Sequence, residues 1–162
     1  MISNDYWNTY EVFGRNNMKI SSEQKLKILN FFKSHKLCVV STIHTNANSP
    51  ESAVVAFTEN DDLEIIFGTS NKSRKYKNIQ KNNKVSFVIG WDSETGSIQY
   101  EGEAVELSKE DSTQYINNQI IKNASSEKYV EREDQRYFKV SPNWIRFIDN
   151  TANPPQTYEI DI

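Results

Sequence analysis

A single cysteine, Cys38, stands in a chain of 162 residues, so no disulfide forms within the chain and no cage of thiolates holds a metal. Two histidines, His35 and His44, are too few for a histidine-based zinc site. No metal is therefore expected. No run approaches the ~18 apolar residues of a membrane-spanning helix. Residues 1–10 carry neither the basic start nor the apolar stretch of a secretory signal. The expectation is a cytoplasmic protein without a membrane partner. Positive charge is also scarce: 19 Lys and Arg against 22 Asp and Glu leave a net charge of −3. That balance argues against a general nucleic-acid binder, whose footprint is basic. The carboxylates are scattered, with no pair that reads as a catalytic dyad. Cys38 sits inside an apolar strand as a structural thiol, and His44 lies in a polar loop without an acidic or hydroxyl neighbour. No residue is nominated as catalytic acid, base or nucleophile.

What the chain does have is aromatic weight. Its 8 Phe, 8 Tyr and 3 Trp accompany a hydrophobic fraction of only 36% and a mean hydropathy of −0.72. Such a composition supports one modest core built on large rings, with a partner chain or a ligand adding buried area. Residues 1–20, with Trp7, Tyr10, Val12 and Phe13 as anchors, read as an arm or short helix. Residues 21–162 read as a single domain, with no repeat and no dividing linker.

Ser21 and Gln24 form a capping box, and Leu26, Ile28, Leu29, Phe31 and Phe32 give an amphipathic helix over 22–35. His35, at its end, suits the last carbonyls. Strands are expected at 37–43, 52–57 and 63–69, with a loop at 44–50 and a turn at 59–62. A charged segment at 71–82 reads as a short helix. Strands follow at 85–91, with Val85, Phe87, Ile89 and Trp91 on one face, and at 98–107, where Gly102 marks a bulge. Ser108 and Asp111 start a second long helix whose apolar side is Tyr115, Ile116, Ile120 and Ile121, followed by a polar helix end and loop over 122–134. Strands at 137–140 and 144–148 flank a turn at Ser141-Pro142-Asn143, and 158–160 is an edge strand. Hairpins with helices at the corners predict a mainly β, antiparallel barrel with flanking helices.

One segment departs from a plain solvated surface. Thr69-Ser70-Asn71-Lys72-Ser73-Arg74-Lys75-Tyr76-Lys77 places cations directly after a strand and at a helix start. Cations there oppose the helix dipole, and a bound anion reverses the sign because free N–H groups and side chains converge on it. Thr69, Ser70 and Ser73 add hydroxyl donors. A solvated helix face explains the spacing equally well.

The order of elements adds to this. Residues 65–88 (I-I-F-G-T-S-N-K-S-R-K-Y-K-N-I-Q-K-N-N-K-V-S-F-V), residues 99–107 (Q-Y-E-G-E-A-V-E-L) and the ending V-S-P-N-W-I-R-F resemble the FMN-binding split barrel of the pyridoxamine 5′-phosphate oxidase-like superfamily, whose small members include general stress proteins. The resemblance covers roughly residues 22–150. It implies a homodimer with FMN at the subunit interface. Thr69, Ser73, Arg74 and Lys75, beside Gly68, would hold the phosphate and ribityl chain. Ser52, Ala53, Val54 and Val55 would line the ring through backbone groups, Gln99 would contact the flavin of the partner, and Trp144 would approach the ring.

The sequence also departs from the family. The tail I-D-N-T-A-N-P-P-Q-T-Y-E-I-D-I lacks the Arg and His with which the oxidases hold pyridoxal phosphate, and lacks the His-containing extension of haem-degrading relatives. Neither activity is expected. The second-strand cation of the oxidases is replaced by Ser52 or a neighbour. The expected function is electron or hydride transfer through FMN to or from an unidentified small molecule. Alternatives are use of the deazaflavin F420, a flavin-binding or stress-related module without turnover, and a flavin-free barrel whose basic cluster binds a polyanion.

Overall fold

The computed structural model describes residues 20–162; the N-terminal arm expected over 1–20 lies, save Ile20, outside the described residues. Helix α1 (Ser22–Ser34) begins with the expected capping box, Ser21 accepting from the Gln24 amide and Gln24 returning a bond to Ser21. It buries Ile28, Leu29, Phe31 and Phe32. Strands β1 (Leu37–His44), β2 (Ser49–Glu59) and β3 (Ile65–Ser70) follow, then helix α2 (Arg74–Lys81). Next come β4 (Lys84–Asp92), β5 (Gly96–Glu106), helix α3 (Lys109–Lys122), a 3-10 turn at Ala124–Ser126 and the short α4 (Glu127–Val130). The chain ends with β6 (Gln135–Asp149) and β7 (Gln156–Asp161).

All strand pairs are antiparallel, in the order β3-β2-β1-β4-β5-β6-β7, and β3 also pairs with β6. That extra pairing closes β1 to β6 into a barrel and leaves β7 as an outrigger on β6. Alternation along each strand sends Cys38, Val40, Phe57, Phe67, Phe87, Tyr100, Phe138 and Ile145 into one core. Its rings meet edge-on or stacked, as Phe67 does with Phe87 and Phe138 at 5.7 Å. The Tyr100 hydroxyl lies in this core and donates to Val140 O at 2.7 Å, with Leu63 O at 3.2 Å.

Several expectations are corrected. The strands expected at 137–140 and 144–148 are one strand, β6, without a turn at Ser141-Pro142-Asn143. β6 pairs with β3 up to Val140 and with β7 from Trp144. Pro142 therefore falls in the gap between β3 and β7 on that edge of β6, while on the other edge it lies opposite Gly102 of β5. The irregularity is a bulge on β6: Glu101 pairs with Trp144 and Gly102 with Pro142, leaving Asn143 as the extra residue, and a Cβ on Gly102 would stand 2.3 Å from Ser141 O. Trp91 leaves the face of Val85, Phe87 and Ile89 and is 64% exposed, because the β4–β5 register shifts between Ile89 and Asp92 with Gly90 at φ 70°. Leu63 belongs to the β2–β3 turn, at φ 62°. β1 and β2 extend into the loop expected at 44–50, leaving a tight turn with Asn48 at φ 46°.

On α3, Ile121 points to solvent, and the buried residues are Ser112 and Gln119. This helix is fastened across the barrel by Lys122, whose ammonium is paired with Glu59, donates to Phe32 O at 2.8 Å and sits 3.7 Å from the Phe57 ring centre. Burial lowers the Lys122 pKa and the Glu59 carboxylate opposes that shift.

Candidate functional site

The barrel is split where β2 leaves β3. The two strands pair only through Phe57–Phe67, Thr58–Ile66 and Glu59–Ile65. Continuing the ladder would match Ala56 with Gly68, Val55 with Thr69 and Val54 with Ser70, and none of these pairs forms. A cleft of about 360 Å³ opens between these unpaired edges, within the range of small-molecule sites. Its closed end lies at the Phe57–Phe67 pair and its mouth at Val54 and Ser70. The α3–α4 segment covers it with Gln119, Asn123 and Tyr129, while Tyr137 and Gln135 of β6 line the β3 side. A Cβ on Gly68 would stand 2.3 Å from Gln135 Nε2 and 3.0 Å from the Tyr137 ring, so glycine lets these side chains lie against the strand.

The turn from β3 into α2 is held by its own hydroxyls. Ser73 caps α2 by accepting from the Tyr76 amide, and shares a 3.0 Å hydrogen bond with Thr69, which is buried. Ser70 donates to Asp134 at 2.6 Å and accepts from the Lys72 amide. Arg132 reaches the same Asp134 through two 3.0 Å bonds. Hydrogen bonds from Arg132 and then Ser70 hold the Asp134 carboxyl far below the ordinary range.

The cations of the segment part company at the helix start. Arg74, exposed, pairs with Glu51 of β2, whose other oxygen accepts from buried Asn78 at 2.9 Å. Lys75 lines the cleft. Among the described residues it makes neither an ion pair nor a hydrogen bond, and burial depresses its pKa below the usual 10.5. No acidic residue of α2 itself occupies its first turn, so Lys75 is a half-buried cation at a helix start whose nearby acid, Glu51, is paired with Arg74.

The expected site residues divide into two groups. Val54, Val55, Gly68, Thr69 and Lys75 line the cleft, and Ser73 is bonded to Thr69. Ser52, Ala53, Arg74, Gln99 and Trp144 do not line it. Ser52 bonds Ser41 at 2.8 Å on the outer face, and Trp144 Nε1 donates to Glu159 at 3.2 Å. Gln99 is exposed in a lateral row that runs Val54, Val39, Val88, Gln99, Arg146 across β2, β1, β4, β5 and β6. Val54 is 61% and Val88 40% exposed, so the row is an apolar strip ending in polar residues. Ala53 faces the other way, level with buried Val40.

Gln119, Tyr129, Arg132 and Tyr137 are cleft residues that the sequence reading passed over. A signal existed for Gln119: it follows Ser112 and Tyr115 at helical spacing, a polar side chain in the middle of the inward stripe. Cys38, buried, has its thiol pushed up by burial and contributes packing only. His35 bonds Phe31 O at 2.8 Å at the end of α1, and His44 ends β1; neither lines the cleft.

Comparison with known proteins gives a consistent picture. The family model described as pyridoxamine 5′-phosphate oxidase matches residues 25–149. A pyridoxine/pyridoxamine 5′-phosphate oxidase of Ehrlichia ruminantium (strain Welgevonden) is 33% identical over 86 residues, which is 53% of this chain and 44% of that protein. The chain thus spans less than half the length of that curated relative. General Stress Protein 26 from Bacillus anthracis str. Sterne superposes with a TM-score of 0.65 at 22% identity, covering 84% of this chain and 98% of that one. HutZ, the heme storage protein from Vibrio cholerae, superposes with a TM-score of 0.63 at 16% identity, covering 72% and 88%. At these identities the structural likeness speaks for the fold.

Proposed function

The chain belongs to the pyridoxamine 5′-phosphate oxidase family, and on that premise we propose that it is an FMN-binding oxidoreductase whose cofactor occupies the cleft between β2 and β3. The observation that carries the reading is the coincidence of the unpaired β2 and β3 edges with an unpartnered Lys75 at the cleft mouth. A flavin ring has carbonyls along one edge, and these match the free N–H groups of a strand edge that lacks its ladder partner. Its phosphate matches a lysine held near a helix start with hydroxyls beside it.

The residues present fit the group. Val54, Val55 and Ala56 offer the backbone edge, Leu37, Tyr129 and Tyr137 offer apolar and aromatic walls, and Thr69, Ser73 and Lys75 supply the phosphate end. Bound FMN supplies the redox chemistry, accepting or giving a hydride or electrons. The chain's own contribution is orientation, exclusion of water and charge. Lys75 neutralises the phosphate, and Arg74 joins it to the extent that the phosphate competes with Glu51. Among the described residues no imidazole lines the cleft, which favours a flavin over a haem held by histidine.

The outer strip of Val54, Val39 and Val88 is the surface on which a second copy docks, and Gln99 and Trp144 on the same side then approach the partner's flavin. This accounts for their absence from the cleft of their own chain. The cellular setting consistent with this chemistry is the cytoplasm. Titration of the protein with FMN, followed by flavin fluorescence, tests the proposal: saturable quenching supports it, and unchanged fluorescence rejects it.

A further inference from the structure

Gln119 is 6% exposed and lines the cleft beside Ala56, near the closed end. Its side-chain nitrogen Nε2 donates to Ala56 O at 3.3 Å. A carbonyl only accepts, so the nitrogen must face Ala56 and the other atom of the carboxamide must be the oxygen. That oxygen, Oε1, is shut off from water and has no hydrogen-bond partner among the described residues. A buried amide oxygen without a donor destabilises the folded chain, while the nitrogen of the same carboxamide serves Ala56 O. Oε1 is thereby left to a donor from outside the described residues.

We propose that Gln119 recognises the ring of the bound cofactor, its Oε1 accepting a hydrogen bond from the imide N–H that flavins carry between two ring carbonyls. The inference rests on the flavin reading of the cleft and names the residue that selects the ring. Lys75 and the hydroxyls of Thr69 and Ser73 lie toward the mouth and suit the phosphate, which directs the ring toward the closed end, where Gln119 is. One 3.3 Å bond to Ala56 holds the carboxamide, and its terminal torsion is soft. A short rotation brings Oε1 to the donor. Ligands whose ring nitrogen lacks hydrogen leave Oε1 unpaired and bind less tightly.

The test compares FMN with N3-methyl-FMN by fluorescence titration of the full chain, in the wild type and in Gln119→Leu. The wild type is expected to bind FMN about tenfold or more tightly than the methylated analogue. Gln119→Leu is expected to weaken FMN by a similar factor and to bind both flavins alike. Equal binding of the two flavins by the wild type overturns the inference while the flavin reading stands, as does discrimination that survives in Gln119→Leu. Absence of FMN binding to the wild type overturns both together. The wild-type comparison alone decides the matter if the variant fails to fold.

Discussion

The Glu51 carboxylate bridges from β2 to the first turn of α2, pairing with the guanidinium of Arg74 through one oxygen and accepting from Asn78 through the other. The expected anion site is thereby divided. Arg74 already has a counter-ion, and among the described residues Lys75 does not. A phosphate at the cleft mouth meets one free cation and one that is shared with an acid.

Removing the acid should favour the phosphate. Glu51→Gln keeps an oxygen for Asn78 and frees Arg74, and FMN affinity is expected to rise by about threefold to tenfold. Adding Arg74→Ala to Glu51→Gln should cancel the gain. Isothermal titration of the single and double variants measures both effects; unchanged affinity in Glu51→Gln would remove Arg74 from the phosphate site.

Lys75 carries the charge that matters most. Lys75→Ala is expected to weaken FMN by about tenfold to a hundredfold. A pH dependence follows with a definite sign. Burial lowers the Lys75 pKa in the free protein, so the lysine loses its proton below the usual 10.5. FMN affinity should fall as pH rises through that lowered value. Lys75→Arg, which stays protonated, should flatten the profile. A wild-type profile that is flat up to the ordinary lysine range counts against the role.

The outer strip gives a prediction about assembly. Val88→Asp places a carboxylate at the end of the apolar Val54, Val39, Val88 row, on an exposed side chain outside the core. Sedimentation equilibrium of the wild type should show twice the 18.8 kDa of one chain, and the variant should show the single mass with weakened FMN binding. A wild type that binds FMN at 18.8 kDa contradicts an interfacial site.

Local chemistry made most of the barrel legible. The capping box at Ser21 and Gln24, the caps at Ser73 and Ser108, and the alternation in β1, β4 and β5 each depend on neighbours in sequence. Trp91 and Pro142 were misjudged because their placement depends on register with another strand, which no local pattern encodes. The same reason hid half of the cleft. Thr69 and Lys75 are legible because they lie beside a strand end and a helix start, whereas Tyr129 and Arg132 reach the site through the segment around α4, and Tyr137 through the pairing of β6 with β3. Glu51 was missed because its pairing with Arg74 joins residues on different elements.

The barrel closure makes a prediction about stability. Tyr100, fully buried, ties β5 to Val140 of β6 and approaches Leu63 of the β2–β3 turn. Tyr100→Phe removes the hydroxyl and leaves the Val140 carbonyl without that donor, at a cost of about 1–2 kcal/mol. Thermal unfolding should shift down by roughly 2–6 °C. An unchanged midpoint would show that the hydroxyl contributes nothing to closure.

The central claim, that the split between β2 and β3 holds FMN, is tested most directly by incubating the purified protein with FMN, removing free ligand and recording the visible spectrum. The flavin is then released by denaturation and identified by chromatography. Retained flavin bands, with FMN released in equal amount to the chain and lost in Lys75→Ala, are the predicted result. A colourless protein, or one that retains only a deazaflavin, would contradict it.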